Sequence, residues 1–583
     1  MHKFKERTCR LAEDGKSQWT IVRGANPSPS EIYAVEEFVG FFRDMTGVAL
    51  PVADDNSSVS EYEIVIGKGS RTNSDEMDAE IDRMGDEGFI VKITEQRITI
   101  AGGKLRGTLY GVYDFLEEEL GCRWYTPETT HIPQRETVRL KEGHRAFKPR
   151  LEYREVLCTY NDTTHDKHET DWFVRNRLNG QFVQYQPKHG GGIKWQGGFV
   201  HTFHSLVPLS EYYDEHPEYY SYSEAEGRRM NGKRAQLCLT NPDVLNIVVE
   251  RIKGWLRDHP ETTNVSVSQV DGTKPGDMFP CECPACKAVD EMEGSHSGSL
   301  LHFVNAVAEQ IEKEFPLVNI DTLAYAYTTE PPKYVKARPN VIVRPCFRGD
   351  KLSDWYKVCD RLYLWDYVTN FRHYALPFPN YDLISKVLND LLQYNIKGLF
   401  VQSTYNTQGI DFNELKTYIY AKLLWRSDRD VNQIMDEFMA AFFKNSTGPL
   451  MEYLNMLRKK IKDDRLVPMC FVNLPVSYLT KEMLRRADEI FDRAEMLAPD
   501  RPILERVQRM RLSVRFVQLM MMPKDDPLRE TMIDEYFEDV TALGVRLISN
   551  RNTLPQAKKG MLEFSGIYEL NEVIPVNDIV DAI

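Results

Sequence analysis

No segment of this chain approaches the ~20 uninterrupted apolar residues that a membrane-spanning helix needs. The opening stretch, Met1-His-Lys-Phe-Lys-Glu-Arg-Thr-Cys-Arg10, has basic residues without the apolar run of a secretion signal. A cytoplasmic chain is therefore expected, while a secreted protein whose leader had been removed would read the same way. Positive charge is also short: 73 Lys and Arg stand against 87 Asp and Glu, a net charge of -14. Nucleic acids and anionic membranes select for basic patches, and with none in view neither partner is expected. No glycine-rich phosphate loop follows an early strand, which argues against an open dinucleotide-binding sheet. Internal repeats and low-complexity tracts are lacking too. Cysteine is sparse, ten in 583 residues. Seven of the ten are scattered without pairing spacings, as suits reduced, buried thiols rather than a disulfide scaffold.

What is present is ordinary globular material, 42% hydrophobic and 27% charged, enough to fill cores and too apolar for long disorder. The length exceeds one compact core and predicts about two to four domains. Residues 1–145 alternate strand and helix patterns: strands at Ser17–Val22 and Glu63–Gly67, a helix over Pro29–Thr46, and a hairpin of Gly88–Ile93 with Arg97–Ala101. A helix over Leu105–Leu120 buries Leu105, Leu109 and Val112 and turns Glu117-Glu-Glu119 outward. This reads as an α/β accessory domain.

Residues 146–427 carry eight strand patterns, at Leu151–Leu157, Gly180–Tyr185, Phe199–His204, Asn264–Val270, Ile320–Tyr327, Val341–Cys346, Leu362–Val368 and Gly398–Ser403. Helical patterns fall between and after them, at Asp171–Leu178, Pro242–Asp258, Ser299–Phe315, Tyr381–Tyr394 and Phe412–Trp425. Eight strands with intervening helices predict a (β/α)₈ barrel, a TIM-like fold, with an open doubly wound sheet as the alternative. Over residues 428–583 the strand signal disappears. Helical periods at Asp430–Phe443, Pro449–Lys460, Lys481–Leu497, Pro502–Met521 and Leu528–Ser549 predict a helical domain.

Barrel enzymes carry their reactive groups where strands end. Those positions hold the carboxylates Glu155, Asp271, Glu330 and Asp366, together with His201, His204, Gln402 and Tyr405. Aromatic residues crowd the same places: Tyr160, Tyr185, Trp195, Tyr325, Tyr327, Trp365, Tyr367 and Phe371. Carboxylates among flat aromatic faces suit sugar chemistry, in which rings stack on aromatics while two carboxyls act as acid and as base or nucleophile. Each residue also has a plainer role open to it. Asp271 fits a turn in Val-Asp-Gly, Asp366 a buried pair with an arginine, Glu155 an ion pair with Arg154, and Glu330 an exposed acid in Glu-Pro-Pro. His201 and His204, three apart on an extended strand, point to opposite faces and do not share a metal, although one of them can bind a substrate hydroxyl. Arg344, like Arg348, can clamp a substrate carboxylate bidentately or serve structure.

The loop Val270–Lys287 holds Cys281-Glu-Cys-Pro-Ala-Cys286. Tetrahedral zinc wants four ligands, and Cys281, Cys283 and Cys286 supply three, with His296 or His302 the nearby candidates for a fourth. A structural zinc, a disulfide in an exported protein, and thiols that stiffen the loop beside Asp271 all remain open. Loop support is the reading preferred, and no cofactor is required beyond a possible structural zinc.

Tyr110-Gly-Val-Tyr-Asp-Phe-Leu-Glu-Glu-Glu-Leu-Gly-Cys-Arg-Trp-Tyr-Thr-Pro127 resembles the end of the small α/β domain that precedes the barrel in family 67 α-glucuronidases and family 20 hexosaminidases. A wider set of motifs resembles a bacterial family called domain of unknown function 4838, from about Gly102 to Phe443. It comprises His216-Pro-Glu-Tyr-Tyr220, Leu237-Cys-Leu-Thr-Asn-Pro242, Asp271 with the cysteine motif, Ala324-Tyr-Ala-Tyr-Thr-Thr-Glu-Pro-Pro332, Trp365-Asp-Tyr367 and Glu414–Trp425. The resemblance implies a glycoside-hydrolase-like architecture and a carbohydrate substrate, without naming the sugar. Family 20 enzymes end the fourth barrel strand in an Asp-Glu pair. The corresponding stretch here is Val270-Asp271-Gly272, so their mechanism does not transfer.

The function expected is a glycosidase, exo-acting on short oligosaccharides or glycan ends, with Asp271 and Asp366 as its carboxylates and Glu155 and Glu330 in reserve. His201, His204, Tyr325, Tyr327, Trp365, Gln402, Tyr405 and Arg344 are expected around the substrate. A carbohydrate-binding protein without a working acid pair is the alternative from another class, and a zinc hydrolase using the cysteines is a third.

Overall fold

The computed structural model describes residues 8–72, 75–158, 167–272, 278–405, 407, 409–472, 476–550 and 552–563. Its first part is a six-stranded mixed sheet in the order Gly143–Phe147, Phe89–Ile93, Arg97–Gly102, Glu63–Ile66, Thr20–Arg23, Val52–Asp54. The expected hairpin is present, Phe89–Ile93 pairing antiparallel with Arg97–Gly102. Helix Pro29–Thr46 keeps its expected bounds, because Ser28 and Glu31 form a capping box at one end and Gly47, at φ 76°, closes the other. The helix Gly107–Glu118 departs from expectation at both ends. Leu105 lies outside it and is exposed, whereas Glu117 is 1% exposed instead of facing water. Glu117 receives Arg177, Lys422 at 2.7 Å and Arg429 at 3.4 Å. Despite burial, these cations hold its carboxyl well below the usual range.

Seven parallel strands follow among the described residues, in two sheets. One has the order Tyr153–Leu157, Gly398–Gln402, Tyr363–Tyr367; the other runs Trp195–Gln196, Asn264–Ser266, Asn319–Ala324, Val341–Pro345. A parallel bridge between Val343 and Leu362 joins them. Helices Lys167–Arg175, Pro242–Asp258, Ser297–Glu312, Tyr381–Gln393 and Asn413–Trp425 lie close to the expected spans. Every residue of Asn413–Trp425 is buried, as befits a helix covered on all sides.

Two expected strands are absent. In Gly180–Tyr185 the backbone has another acceptor: the Glu155 carboxylate takes Gln181 N–H at 2.9 Å and Phe182 N–H at 2.7 Å. A Cβ at Gly180 would fall 2.1 Å from the Glu155 carboxyl carbon, so only glycine allows this approach. The segment still bonds on both sides, Asn179 N–H to Arg154 O at 3.1 Å and Ile193 N–H to Asn179 O at 2.8 Å. Phe199–His204 follows Gly197 and Gly198 at φ 78° and 124° and contains His201 at φ 56°, conformations that no strand accommodates. Trp195–Gln196 pairs in its place. Hydroxyls replace part of the ladder: His201 N–H donates to Ser268 Oγ at 2.8 Å, Ser268 N–H to Thr202 Oγ1 at 3.1 Å, and Thr202 Oγ1 to Ser266 O at 2.7 Å.

Beyond Trp425 the described residues form helices Val431–Phe443, Thr447–Asp463, Lys481–Met496, Arg501–Met521, Arg529–Ala542 and Leu554–Glu563. The helix expected to reach Ser549 stops at Ala542, just ahead of Gly544 at φ 76°, and the last helix lies outside the expected set. One apolar cluster extends from Cys9 to Met561, and Tyr153, Trp195, Ile342, Tyr363 and Phe400 form a separate one. No described helix is long and apolar enough to cross a membrane.

Candidate active site

Parallel strands end on one side, and there Asp271, Tyr325, Tyr367 and His201 gather. Two bonds fix the backbone entering Asp271: Gln236 Nε2 donates to Val270 O and Val270 N–H donates to Gln236 Oε1, both at 2.9 Å. Asp271 itself is exposed, and its Oδ1 accepts the Tyr325 hydroxyl at 3.4 Å. Burial pushes the Tyr325 phenol up, and the Asp271 carboxylate adds to the shift. Tyr367 is raised by burial as well, with smaller contributions from Cys346, Tyr325, Cys470 and Asp271. The His201 ring lies 6.1 Å from that of Tyr325. Its Nδ1 meets Gln269 O at 2.8 Å. A carbonyl only accepts, so Nδ1 carries the proton and Nε2 is the acceptor of the neutral ring.

The other predicted carboxylates are placed differently. Asp366 is 1% exposed. It accepts Tyr420 Oη at 2.9 Å and pairs with Arg348, so it presents no free carboxyl to a substrate. Glu155 is equally buried, beneath Gln181 and Phe182, and also accepts the Tyr153 hydroxyl. Burial, only partly offset by those donors, pushes it up to about 7. Glu330 is on the surface, 2.7 Å from Lys351.

Among the expected binding residues, Trp365 Nε1 donates to Gln402 Oε1 at 3.0 Å, so these two meet at neighbouring strand ends. Tyr405 is tied to Asn550. His204 meets Ala235 O at 2.8 Å, apart from His201's partner, and burial lowers its imidazole below the usual range. Tyr327 turns toward the cysteines: its ring is 6.2 Å from His296, and its phenol is raised by burial, with Asp290, Cys281 and Cys286 adding. Arg344 requires a correction. Expected as a carboxylate clamp, it is fully buried, with Nε 2.5 Å from Asp321 Oδ2 and Nη2 2.6 Å from Oδ1. Phe199, Trp195 and Trp365 cage its guanidinium at 4.1, 5.4 and 5.8 Å. A charge enclosed in this way serves the interior. Tyr160 falls outside the described residues.

The three clustered cysteines come together with a fourth that sequence reasoning missed, Cys238. The sulfurs of Cys238, Cys281, Cys283 and Cys286 all lie within 4.8 Å of one another, and all four residues are buried. His296 and His302, the expected fourth ligands, are engaged instead with Asp290 at 2.8 Å and Glu293 at 2.9 Å. The available signal was a cysteine three residues ahead of the Asn241 cap of helix Pro242–Asp258, 43 positions before Cys281. Hydrogen bonding to Cys238 pushes the Cys281 thiol up, while Cys281 and Cys286 hold the Cys238 thiol down.

A groove of about 590 Å³ lined by Tyr212, Ile247 and Trp255 lies along helix Pro242–Asp258. Asp271 is not among its lining residues.

A model of the family described as domain of unknown function (DUF4838) matches residues 124–455, more than half of the chain. The chain belongs to this family. A second model, glycosyl hydrolase family 67 N-terminus, matches residues 6–115. No curated protein matches. Among solved structures, the chain is similar to BtGH115A, a family GH115 4-O-methyl-α-glucuronidase with specificity for decorated arabinogalactans. The TM-score is 0.56 at 11% identity, over 98% of this chain and 81% of that one. It also matches a Flavobacterium johnsoniae chitobiase at a TM-score of 0.46 and 12% identity, over 93% of this chain and 98% of that one. At 11% identity, the first likeness speaks to the fold alone. This family member is thus a mixed α/β protein with a glycoside-hydrolase-like fold.

Proposed function

We propose that this protein is a glycoside hydrolase acting on the ends of short glycans, with Asp271 as the carboxylate that meets the glycosidic oxygen. One observation carries the reading: Asp271 is exposed where the parallel strands end and accepts the hydroxyl of Tyr325, whose ring lies 6.1 Å from that of His201. A sugar ring is recognised by such aromatic faces and by hydrogen bonds to its hydroxyls, for which the His201 Nε2 acceptor is suited. In this reading the seven strands and residues 179–182 form a (β/α)₈-type barrel, with Asn179 bridging its neighbours in the place of a second strand. The catalytic unit is residues 146–427, between an accessory unit over 1–145 and a helical one over 428–583. The likeness to an α-glucuronidase supports testing uronic-acid-capped glycans first.

The test is a screen of aryl glycosides and natural oligosaccharides, including glucuronic-acid-capped and N-acetylhexosamine-capped chains, with products followed by NMR. Release of a single terminal sugar, lost in Asp271→Asn, is the expected result. A second reading has its own support, because Glu155, Glu330 and Asp366 are each engaged elsewhere. A carbohydrate-binding protein would need no second acid. Saturable glycan binding without turnover, unchanged in Asp271→Asn, would replace the first reading with this one.

A further inference from the structure

The four-cysteine cluster is independent of the activity proposed above. Four thiolates around a zinc ion at ~2.3 Å in a tetrahedron stand about 3.8 Å apart. Here Cys238 Sγ lies 3.6 Å from Cys283 Sγ and 3.9 Å from Cys286 Sγ. The separations are too long for a disulfide, whose sulfurs bond at ~2.05 Å.

The surroundings are those of a metal–thiolate centre. Tyr222 N–H points at Cys281 Sγ at 3.3 Å, Arg229 Nη1 lies 3.7 Å from the same sulfur, and Thr240 Oγ1 lies 3.2 Å from Cys286 Sγ. Such contacts orient thiolates and temper their charge. Cys283 caps helix Pro284–Glu293, placing its sulfur beside the positive end of the helix. Packed against the cysteines is the ring of Tyr222, so the centre is closed, as structural zinc sites are.

We propose that Cys238, Cys281, Cys283 and Cys286 bind one zinc ion. The ion links two separate pieces of chain, the Cys238 segment before helix Pro242–Asp258 and the Cys281–Cys286 segment that opens helix Pro284–Glu293, while the Tyr222–Ser223/Arg228–Arg229 hairpin braces them through its contacts to Cys281. Two residues before Cys238 is Gln236, the side chain that clamps Val270. The zinc therefore fixes the frame from which Asp271 projects. All four sulfurs are ligands, so no position is left for a metal-bound water, and the site is structural rather than hydrolytic.

The experiment is elemental analysis of the full chain purified under reducing conditions without chelator, together with Cys238→Ser and, as a control in a different place, Cys346→Ser. About one zinc per chain is expected in the parent protein and in Cys346→Ser, and a several-fold loss in Cys238→Ser. Replacement by cobalt should give the visible bands of a tetrahedral thiolate site. If Cys238→Ser does not fold, the parent protein decides alone: zinc should leave in step with mercurial modification of four thiols. Less than about a tenth of a zinc per chain after incubation with zinc salt would overturn the proposal. So would release of zinc with all four thiols unmodified, iron as the resident metal, or disulfides among these cysteines by mass spectrometry.

Discussion

Asp271 and Asp366 are both singled out by strand-end position in the sequence, Asp271 between Val270 and Gly272 and Asp366 between Trp365 and Tyr367. Their settings are opposite. Asp271 is exposed and, among the described residues, accepts a long hydrogen bond from a tyrosine, whereas Asp366 is sealed against Tyr420 and Arg348. Glu155 resembles Asp366 in being buried, but its donors are neutral, and its carboxyl rises to about 7 instead of being held by a cation. Position at a strand end is therefore not enough to mark a catalytic acid. Whether the carboxylate already has a partner decides what it is free to do.

The largest effect expected is on turnover. Asp271→Asn should lower kcat by about 10²–10⁴-fold, the range for losing a general acid or base, with an unchanged melting temperature because the side chain is exposed. Retained turnover would remove Asp271 from the chemistry. Asp366→Asn should do the reverse and strike the fold. Breaking an ion pair with one wholly buried member costs about 3 kcal/mol, the low end for buried pairs because part of Arg348 is exposed. Arg348→Met should cost as much alone, and the double variant less than the sum, as a double-mutant cycle by chemical denaturation would read. If the Asp366 and Arg348 effects simply add, the two side chains do not interact in solution.

The third prediction uses pH. Glu155 has an ordinary value of 4.5 and a folded value of about 7. Below 4.5 both states hold the proton; between the two values only the folded state does. The contribution is thus fully present at low pH and declines as pH rises toward 7, by up to ~1.4 kcal/mol per unit. Glu155→Gln cannot titrate, and its amide oxygen cannot accept from Tyr153, Gln181 and Phe182 together. The variant should be less stable than the parent at pH 5, with the gap narrowing by pH 7.5. Parallel stability curves would show that Glu155 is ionised throughout.

Local signals carried the helices. Asn241 followed by Pro242 marks a helix start in any context, and helix Pro242–Asp258 has the expected bounds. The apolar runs of the Val341 and Gly398 strands were readable for the same reason. What could not be read depended on partners distant in sequence. Gln181-Phe-Val-Gln-Tyr185 has the aromatic and β-branched residues of a strand, yet Glu155, 26 residues earlier, takes the Gln181 N–H. Glu117 sits in an acidic run that suggests a solvated face, until Lys422 and Arg429 arrive more than 300 residues later. Strand-end position pointed to Asp271, Tyr325 and His201 as candidates, and the structure brings these three together. Arg344 was misplaced because nothing local announces Asp321 as its partner, and Cys238 was missed because its companions lie beyond a whole helix and strand.

The smallest effect separates Asp271 from the Tyr325 hydroxyl, which donates to it. Tyr325→Phe removes the hydroxyl and keeps the ring, so stacking against a sugar should persist and binding should change little. The bond lost is long, 3.4 Å, and worth at most ~1 kcal/mol, which corresponds to a drop in kcat of about 2–5-fold. The split between kcat and KM carries the information. A fall in kcat at constant KM places the hydroxyl with the reacting carboxylate, as the contrast with Asp366 requires. A rise in KM at constant kcat would make Tyr325 a substrate contact only, and Asp271 would then act without help from its neighbour.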